Sequence, residues 1–275
     1  MESLLVCIGR RENRYIREYV EYYRDLGFDR IVICDNNYDG EESFVDVLSG
    51  HIENGFVVIE DYRNKSCCQV SCYNEMYRKY RGLYDWIAFF DCDEFLTFKD
   101  PETKLPDYLS RDVFSGYDAI LINWMMYDDN DQLYDDGRPV LERLSRPCDY
   151  NFKGSYNFPE NNHVKSILHS SQYKADNPFG GGGVMHCPST DNNCDNAGKP
   201  IGMVTPYIDY NYDVAWIRHF SYKTVTEFAN GKLNYGTPDK IQSEHNRKSL
   251  IKLFFRVNRK TDEKLKILND LGYNA

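Results

Sequence analysis

Apolar runs in the first third of the chain each stop abruptly at polar or charged positions. Residues 3–8 read as a short strand that runs into Gly9-Arg10-Arg11-Glu12-Asn13. Ile16, Val20, Tyr23 and Leu26 then recur at spacings of three and four, one face of a helix, and Gly27 stands in the C-cap position. A second strand over 30–34 stops at Asp35-Asn36-Asn37. A short helix over 42–48 leads to a third strand, 56–60, which stops at Asp61-Tyr62-Arg63-Asn64. A long helix follows over 69–80. The fourth apolar run, from Tyr84, ends in Asp91-Cys92-Asp93-Glu94, and its composition is that of a strand buried on both faces. Alternating strands and helices predict βαβ units, a parallel sheet and right-handed crossovers. Ligands of such sheets bind beyond the carboxyl ends of the strands. Arg10, Glu12 and Asn13, Asp35 and Asn36, Asp61 and Arg63, and Asp91 and Asp93 are therefore expected to face one crevice.

The second half is less regular. Residues 119–123 predict a strand, followed by Trp124 and the acidic Asp128-Asp129-Asn130-Asp131. The four glycines at 180–183 lack the strand-to-helix context of a phosphate loop and read as a mobile loop. The Asn/Asp/Gly-rich stretch 188–200 reads as an exposed excursion. A strand over 215–220 precedes Tyr222-Lys223 and a helix through Phe228. With no repeat and no linker, the simplest organisation is one domain over 1–243, with 244–275 as a basic amphipathic helical segment packed on it. Residues 247–266 carry eight Lys/Arg against two acids, with Leu250, Ile251, Phe254 and Phe255 among them. Such a helix either packs with its charges solvated or docks on anionic lipid.

A net charge of −10 over 275 residues argues against a general nucleic-acid binder, which needs a basic face for phosphate. Nine cysteines, an odd number without metal-ligand spacing and with Cys67 beside Cys68, suit reduced thiols better than a secreted disulfide framework. The first strand begins at once, without a leader, and no segment approaches the roughly 20 apolar residues that span a bilayer. A cytoplasmic protein is expected, at most peripheral on the inner face of the membrane. The 23 tyrosines supply faces that stack on sugars and bases, although such rings also fill cores.

The sharpest chemistry lies in Asp91 and Asp93. Two residues apart on an extended chain, their carboxylates point the same way and repel unless a cation stands between them. A hard divalent ion takes oxygen ligands and leaves positions open for phosphate. The plain alternative is an acidic strand end whose charges are solvated.

Six segments together resemble a known group: Arg11-Glu12-Asn13; Tyr19-Val20-Glu21-Tyr22 with Leu26-Gly27; Ile33-Cys34-Asp35-Asn36-Asn37; the run from Trp86 through Asp91-Cys92-Asp93 to Phe95; Lys165-Ser166-Ile167; and His219-Phe220-Ser221-Tyr222-Lys223. Over residues 4 to about 255 the chain is similar to the GT-A glycosyltransferases of family 92 and their family 2 relatives. The resemblance implies an α/β, Rossmann-like GT-A fold, with a mostly parallel central sheet and helices on both faces. It implies a UDP-sugar donor, with galactose the sugar that family members suggest, and Mn²⁺ or Mg²⁺ held by Asp91, Asp93 and His219. An imidazole ligand favours manganese. It places Arg10, Asn13, Asp35 and Arg63 at base and ribose, Gln69, Tyr73 and Asn74 on a helix face toward the donor, and Cys92, Lys165 and Lys223 near the sugar diphosphate. Inversion would require a carboxylate base, for which Asp191, Asp129 and Asp128 are candidates. Trp124 and Trp216 are either sugar platforms or core. The sequence departs from the family at Asn36-Asn37-Tyr38-Asp39, near Asp128 and in 188–200, so the acceptor, a glycan or lipid-linked glycoconjugate of surface polysaccharide synthesis, transfers least. Two other classes compete: a nucleotide-sugar binding module without turnover, and a metal-dependent phosphohydrolase, which the six unclustered histidines disfavour.

Overall fold

In the computed structural model, which describes residues 1–148, 160–180, 186–236 and 243–273, strand β1 (Ser3–Gly9) lies inside a nine-stranded sheet. The first half keeps the rhythm of the sequence: α1 (Asn13–Leu26), β2 (Arg30–Asp35), α2 (Phe44–Glu53), β3 (Val57–Asp61), α3 (Gln69–Tyr80) and β4 (Trp86–Phe89). β1 pairs in parallel with β2 and β4, and β2 with β3. The second half adds β5 (Glu94–Phe98), α4 (Leu105–Leu109), β6 (Ala119–Met126), α5 (Val140–Arg143), β7 (Val164–His169), β8 (Asn193–Asp195) and β9 (Ala215–His219). α6 (Val225–Phe228) runs into a π-helical turn (Ala229–Leu233), and α7 (Glu244–Val257) and α8 (Asp262–Asp270) follow. The strand order is β3-β2-β1-β4-β7-β6-β9-β5, with β8 on β6. Five of the eight pairings are parallel, which makes the sheet the mostly parallel one expected.

Alternation along β1 sorts its side chains to two faces. Leu5 and Cys7 join Tyr19 and Tyr23 of α1 and Phe44 of α2, whereas Leu4, Val6 and Ile8 join Tyr73 and Tyr77 of α3. Helices therefore cover both faces. α1 stops because Gly27, at φ +108°, turns left-handed and gives its N–H to the carbonyls of Tyr23 and Arg24. Pro106 would lie 2.8 Å from any Cβ there, so a side chain is excluded twice over.

Tyr23 does more than fill the core. Its hydroxyl donates to the Glu94 carbonyl at 2.9 Å and accepts from the Leu96 N–H at 2.9 Å. Tyr19 donates to the Phe90 carbonyl at 3.2 Å. Two buried α1 tyrosines thus clamp both sides of the turn between β4 and β5.

Three expectations change. β4 ends at Phe89, so Asp91 and Asp93 lie in a turn rather than on an extended chain, because β5 starts at Glu94 and antiparallel β9 draws it away. The stretch 188–200 is not simply an exposed excursion, since β8 at its centre is buried. The polar side chains there stand in for backbone: Asn196 Oδ1 accepts the N–H groups of Val214 and Ala215, and Asp195 Oδ1 those of Ala197 and Lys199. The basic tail is two helices, interrupted where Asn258 leaves helical geometry to accept the Asp129 N–H at 2.8 Å. Phe254 of α7 stacks on Phe228 at 4.6 Å, and the ammonium of Lys264 in α8 meets Asp129 at 2.6 Å. Residues 181–183 of the glycine run lie outside the described residues.

Candidate active site

A cavity of ≈ 690 Å³ opens where the ends of β1 and β4 meet the end of β9, the π-helical turn and α7, a size suited to a small-molecule ligand. The β4–β5 turn forms part of its wall. Asp91 gives its N–H to Glu94 Oε2 at 2.8 Å, and the Glu94 N–H returns to the Asp91 carbonyl at 3.0 Å. This turn hands the two aspartates to different partners.

Asp91 Oδ1 accepts from Gln69 Nε2 and from the Tyr73 hydroxyl, both at 2.9 Å, and Oδ2 accepts from Lys165 Nζ at 2.7 Å. Lys165 is 1 % exposed and also lies 3.4 Å from Glu94. Burial alone would lower its pKa, but Asp91 and Glu94 outweigh burial and hold the ammonium above its ordinary value. Lys165 is thus the counter-ion of this acidic turn, not the phosphate partner expected. Tyr73 is likewise core, with its hydroxyl spent on Asp91.

Asp93 meets a different set of basic side chains. Its Oδ1 is 3.6 Å from His219 Nε2 and its Oδ2 is 3.2 Å from Lys232 Nζ. Burial would raise this carboxyl, but Lys232 and His219 more than reverse that and hold it well below the carboxylate range. Burial lowers His219, with Asp93 pulling it back in part. Register delivers His219: it pairs with Glu94 across β5 and β9, and the Phe220 N–H bonds to the Asp93 carbonyl at 2.9 Å. Glu94 itself is wholly buried, with Oε1 unpartnered 4.0 Å from His219 Nε2. Burial first, then Asp91 and Asp93, lifts its carboxyl well above the ordinary range.

Among the described residues, no three His, Cys, Asp or Glu side chains stand together as a metal-binding group. Asp93 Oδ1 and His219 Nε2, 3.6 Å apart, do have the span of two ligands on one ion. An octahedral ion with bonds of about 2.1 Å takes neighbouring donors roughly 3 Å apart, so the two would close by about 0.6 Å around it. The residues fit a divalent cation held by two protein donors, with phosphate and water completing its shell. Asp91 lines the same cavity but is turned to Gln69, Tyr73 and Lys165 instead of toward His219, so the expected triad is not assembled in this arrangement.

Of the other anticipated residues, Arg10, Gln69, Cys92 and Lys223 line the cavity. Arg10 forks onto Glu41 at 2.9 and 2.6 Å and lies 4.1 Å over the Tyr38 ring. Cys92 packs so close to Gly9 that a Cβ there would meet its sulfur at 2.9 Å. Lys223, at φ +52°, and Arg11, at φ +59°, hold left-handed backbone unusual for such residues, and both line the cavity. The remaining ones do not reach it. Arg63 donates to Asp35 at 2.9 Å and to the Tyr38 carbonyl at 2.7 Å, fastening two loops together. Asn13 donates to the Ser43 carbonyl, and Asn74 exchanges two bonds of 2.9 Å with the Phe179 backbone. Asp129 is wholly buried on Lys264. Its neighbour Asp128 accepts from Arg146 Nε at 2.6 Å and also lies outside the lining. Asp191 is exposed; Thr190 donates to Asp118 at 2.6 Å and Asn192 to the Gly116 carbonyl, anchoring that loop beside the start of β6. None of the three candidate bases lines the cavity.

Sequence reasoning missed Glu94, Lys232, Glu160 and a histidine cluster. His163 stacks on Trp124 at 4.6 Å, and His219 and His186 approach the same indole at 4.3 and 5.3 Å. The expectation of unclustered histidines is thus corrected for three of the six. Burial lowers all three, His163 to about 4. Trp124 packs among these rings and also lines the cavity, whereas Trp216 packs on Tyr212 outside it. Glu160 lines the wall 3.4 Å from His163 Nε2. The signal available was weak: only the Asp-Cys-Asp-Glu run points to Glu94, and nothing local marks Lys232.

Residues 2–175 match the model of glycosyltransferase family 92. A glycosyltransferase family 92 protein of Ricinus communis is 29% identical over 94 residues, 34% of this chain and 17% of that protein. This chain thus covers only a small part of that relative's length. Among solved structures, residues 1–349 of S. aureus TarS align over 98% of this chain and 78% of theirs, at 12% identity and a TM-score of 0.45. The same protein in complex with UDP aligns over 93% of this chain and 71% of its own, at 12% identity and a TM-score of 0.47.

Proposed function

The chain belongs to glycosyltransferase family 92, and from that premise we propose that it transfers a sugar, galactose first among candidates, from a UDP-sugar to a hydroxyl of a glycan or lipid-linked acceptor, with inversion. One observation carries the reading: Asp93 and His219 stand 3.6 Å apart in a cavity that Arg11, Lys223 and Lys232 also line. Loss of a nucleoside diphosphate gathers negative charge on the leaving oxygen, and preorganised cations around that point lower the barrier. Asp93 and His219 would hold Mn²⁺, or Mg²⁺, whose chemistry here is to neutralise the departing diphosphate.

The chain's own side chains supply the rest. Lys223 is buried, and although burial opposes its charge, Glu12, Asp93 and Glu227 keep its ammonium above the ordinary value. It is a fixed positive charge on the cavity wall. Asp91 acts through position: with Gln69, Tyr73 and Lys165 it sets the turn that presents Asp93. Glu160 is the lining carboxylate we assign to receive the acceptor's proton, beside the neutral imidazole of His163.

Among the described residues no helix is long and apolar enough to cross a membrane. In this reading the protein works in the cytoplasm on surface polysaccharide or glycoconjugate synthesis, meeting the inner membrane face through exposed Lys248, Lys252 and Arg256 of α7. The test is release of UDP from a panel of UDP-sugars in Mn²⁺ or in EDTA. Metal-dependent release that Asp93→Ala abolishes supports transfer. UDP-sugar binding with no release from any donor would leave a binding module in its place.

A further inference from the structure

We infer that Lys232 is the resident counter-cation of Asp93, which surrenders that place to a divalent ion and passes its ammonium to the donor's diphosphate. The inference rests on the nucleotide-sugar reading above and concerns how that same site is kept ready.

The starting point is a contact. Lys232 Nζ stands 3.2 Å from Asp93 Oδ2 and 3.0 Å from Ser221 Oγ, with its side chain 29% exposed to the cavity. An ammonium–carboxylate hydrogen bond at its best is about 2.8 Å, so this pair attracts without being locked. The opposite oxygen of Asp93 faces His219. The lysine and the expected divalent ion therefore share one carboxylate.

The backbone explains why a lysine reaches this spot. Val225, Phe228, Ala229 and Leu233 form one buried apolar stripe against α7 and α8. In an unbroken α-helix the residue four after Phe228 would continue that stripe, and that residue is Lys232. The π-helical turn over Ala229–Leu233 inserts one residue, so Leu233 takes the buried place and Lys232 is released to the cavity wall. Such turns cost regular hydrogen bonding and are found mostly at functional sites. The start of the segment is fixed by the Thr224–Glu227 capping box, whose glutamate also accepts from Arg143 at 2.9 Å.

Charge accounts for the exchange. Half-buried Asp93 shares its turn with the carboxylates of Asp91 and of wholly buried Glu94, and the ammonium 3.2 Å from Asp93 offsets this crowding. A divalent ion at Asp93 and His219 would stand close to that ammonium and repel it. A diphosphate supplies a new anion for the displaced lysine and further oxygen ligands for the ion. Ion and nucleotide should therefore bind with positive coupling, each raising the other's affinity by the same factor.

The full chain and Lys232→Met test this with two titrations: Mn²⁺ alone, followed by electron paramagnetic resonance, and UDP with and without Mn²⁺, followed by calorimetry. With its competitor gone, Lys232→Met should bind Mn²⁺ alone roughly five- to tenfold more tightly, bind UDP more weakly in saturating Mn²⁺, and lose most of the coupling. The opposite signs separate an exchange from a folding defect, which would weaken both. Ser221→Ala, which keeps the charge but removes one anchor, should move Mn²⁺ affinity the same way by a smaller factor. Equal or weaker Mn²⁺ binding by Lys232→Met overturns the counter-cation role, and unchanged UDP affinity overturns the hand-over. Should neither wild type nor variant bind Mn²⁺ with UDP present, the cation reading of the preceding section fails, and this inference with it.

Discussion

Asp91 and Asp93 differ by one intervening cysteine, yet substituting them should have different consequences. Asp93→Asn removes the charge shared by His219 and Lys232, and we expect UDP release to fall by about a hundredfold or more with the fold intact. Asp91→Asn leaves the buried Lys165 ammonium only Glu94, 3.4 Å away, and because Asp91 is 26% exposed the loss should fall below the roughly 3–5 kcal/mol of breaking a fully buried pair. Thermal melts should therefore single out Asp91→Asn, and Mn²⁺ titration should single out Asp93→Asn. Equal melting losses in both would erase the distinction. A third carboxylate sets a pH response. Glu41 takes Arg10 and Arg11 together with the Tyr38 N–H, and these bonds, Arg10 foremost, outweigh burial and depress it from 4.5 to about 2. A depressed carboxyl stabilises the fold fully above its unfolded value and loses that contribution as pH falls through the folded one. Glu41→Gln should thus be less stable than wild type at pH 7, by about 2 kcal/mol, with the gap closing between pH 4.5 and 2; denaturant melts across that range read it directly. The acids of the turn were legible because they interrupt an apolar strand. Lys165 was legible as a cation near the site but not as a counter-ion, since its partner Asp91 is 74 residues away.

At the scale of elements, what could be read was what repeats locally. α1, α3 and the first four strands announce themselves through spacing, and Gly27 through its place after Leu26. β8 could not, because its Asn193 and Asp195, with neighbouring Asn196, are buried by side-chain bonds to loop backbone that no periodicity encodes. The break between α7 and α8 is similar: Asn258 ends the helix to serve Asp129 and, through Nδ2, the Lys223 carbonyl at 3.5 Å. Asp129 thereby changes meaning from candidate base to anchor. Both it and Lys264 are fully enclosed, so Asp129→Ala should destabilise the fold by about 3–5 kcal/mol. The double variant Asp129→Leu/Lys264→Met should recover most of that loss, since apolar packing often replaces a buried pair without penalty. UDP release by the double variant, per folded molecule, should stay near wild type, and its collapse would return Asp129 to the chemistry.

For the whole molecule the informative feature is where charge lies rather than how much there is. A body of net charge −10 should be repelled by an anionic bilayer, yet α7 exposes Lys248, Lys252 and Arg256 at four-residue intervals, with Arg259 and Lys260 exposed just beyond its end. On the same helix Leu250, Leu253 and Val257 line the cavity from another face, so α7 carries both a basic stripe and part of the cavity wall. A surface laid along that stripe would hold the molecule by α7, the helix that also walls the cavity. Each basic residue near an anionic surface contributes about 1 kcal/mol, so reversing three should cost roughly a hundredfold in partitioning. The checking experiment is flotation with phosphatidylglycerol vesicles, for wild type and for Lys248→Glu/Lys252→Glu/Arg256→Glu, at 50 and 500 mM salt as approximate working values. Wild type should float at low salt and sink at high salt, and the triple variant should sink at both. The variant must keep wild-type UDP release from a soluble donor, because the stripe faces away from the core contacts of Ile251 and Phe254. Equal flotation of the two proteins at low salt would remove the membrane from this picture and leave α7 as a packed wall of the cavity.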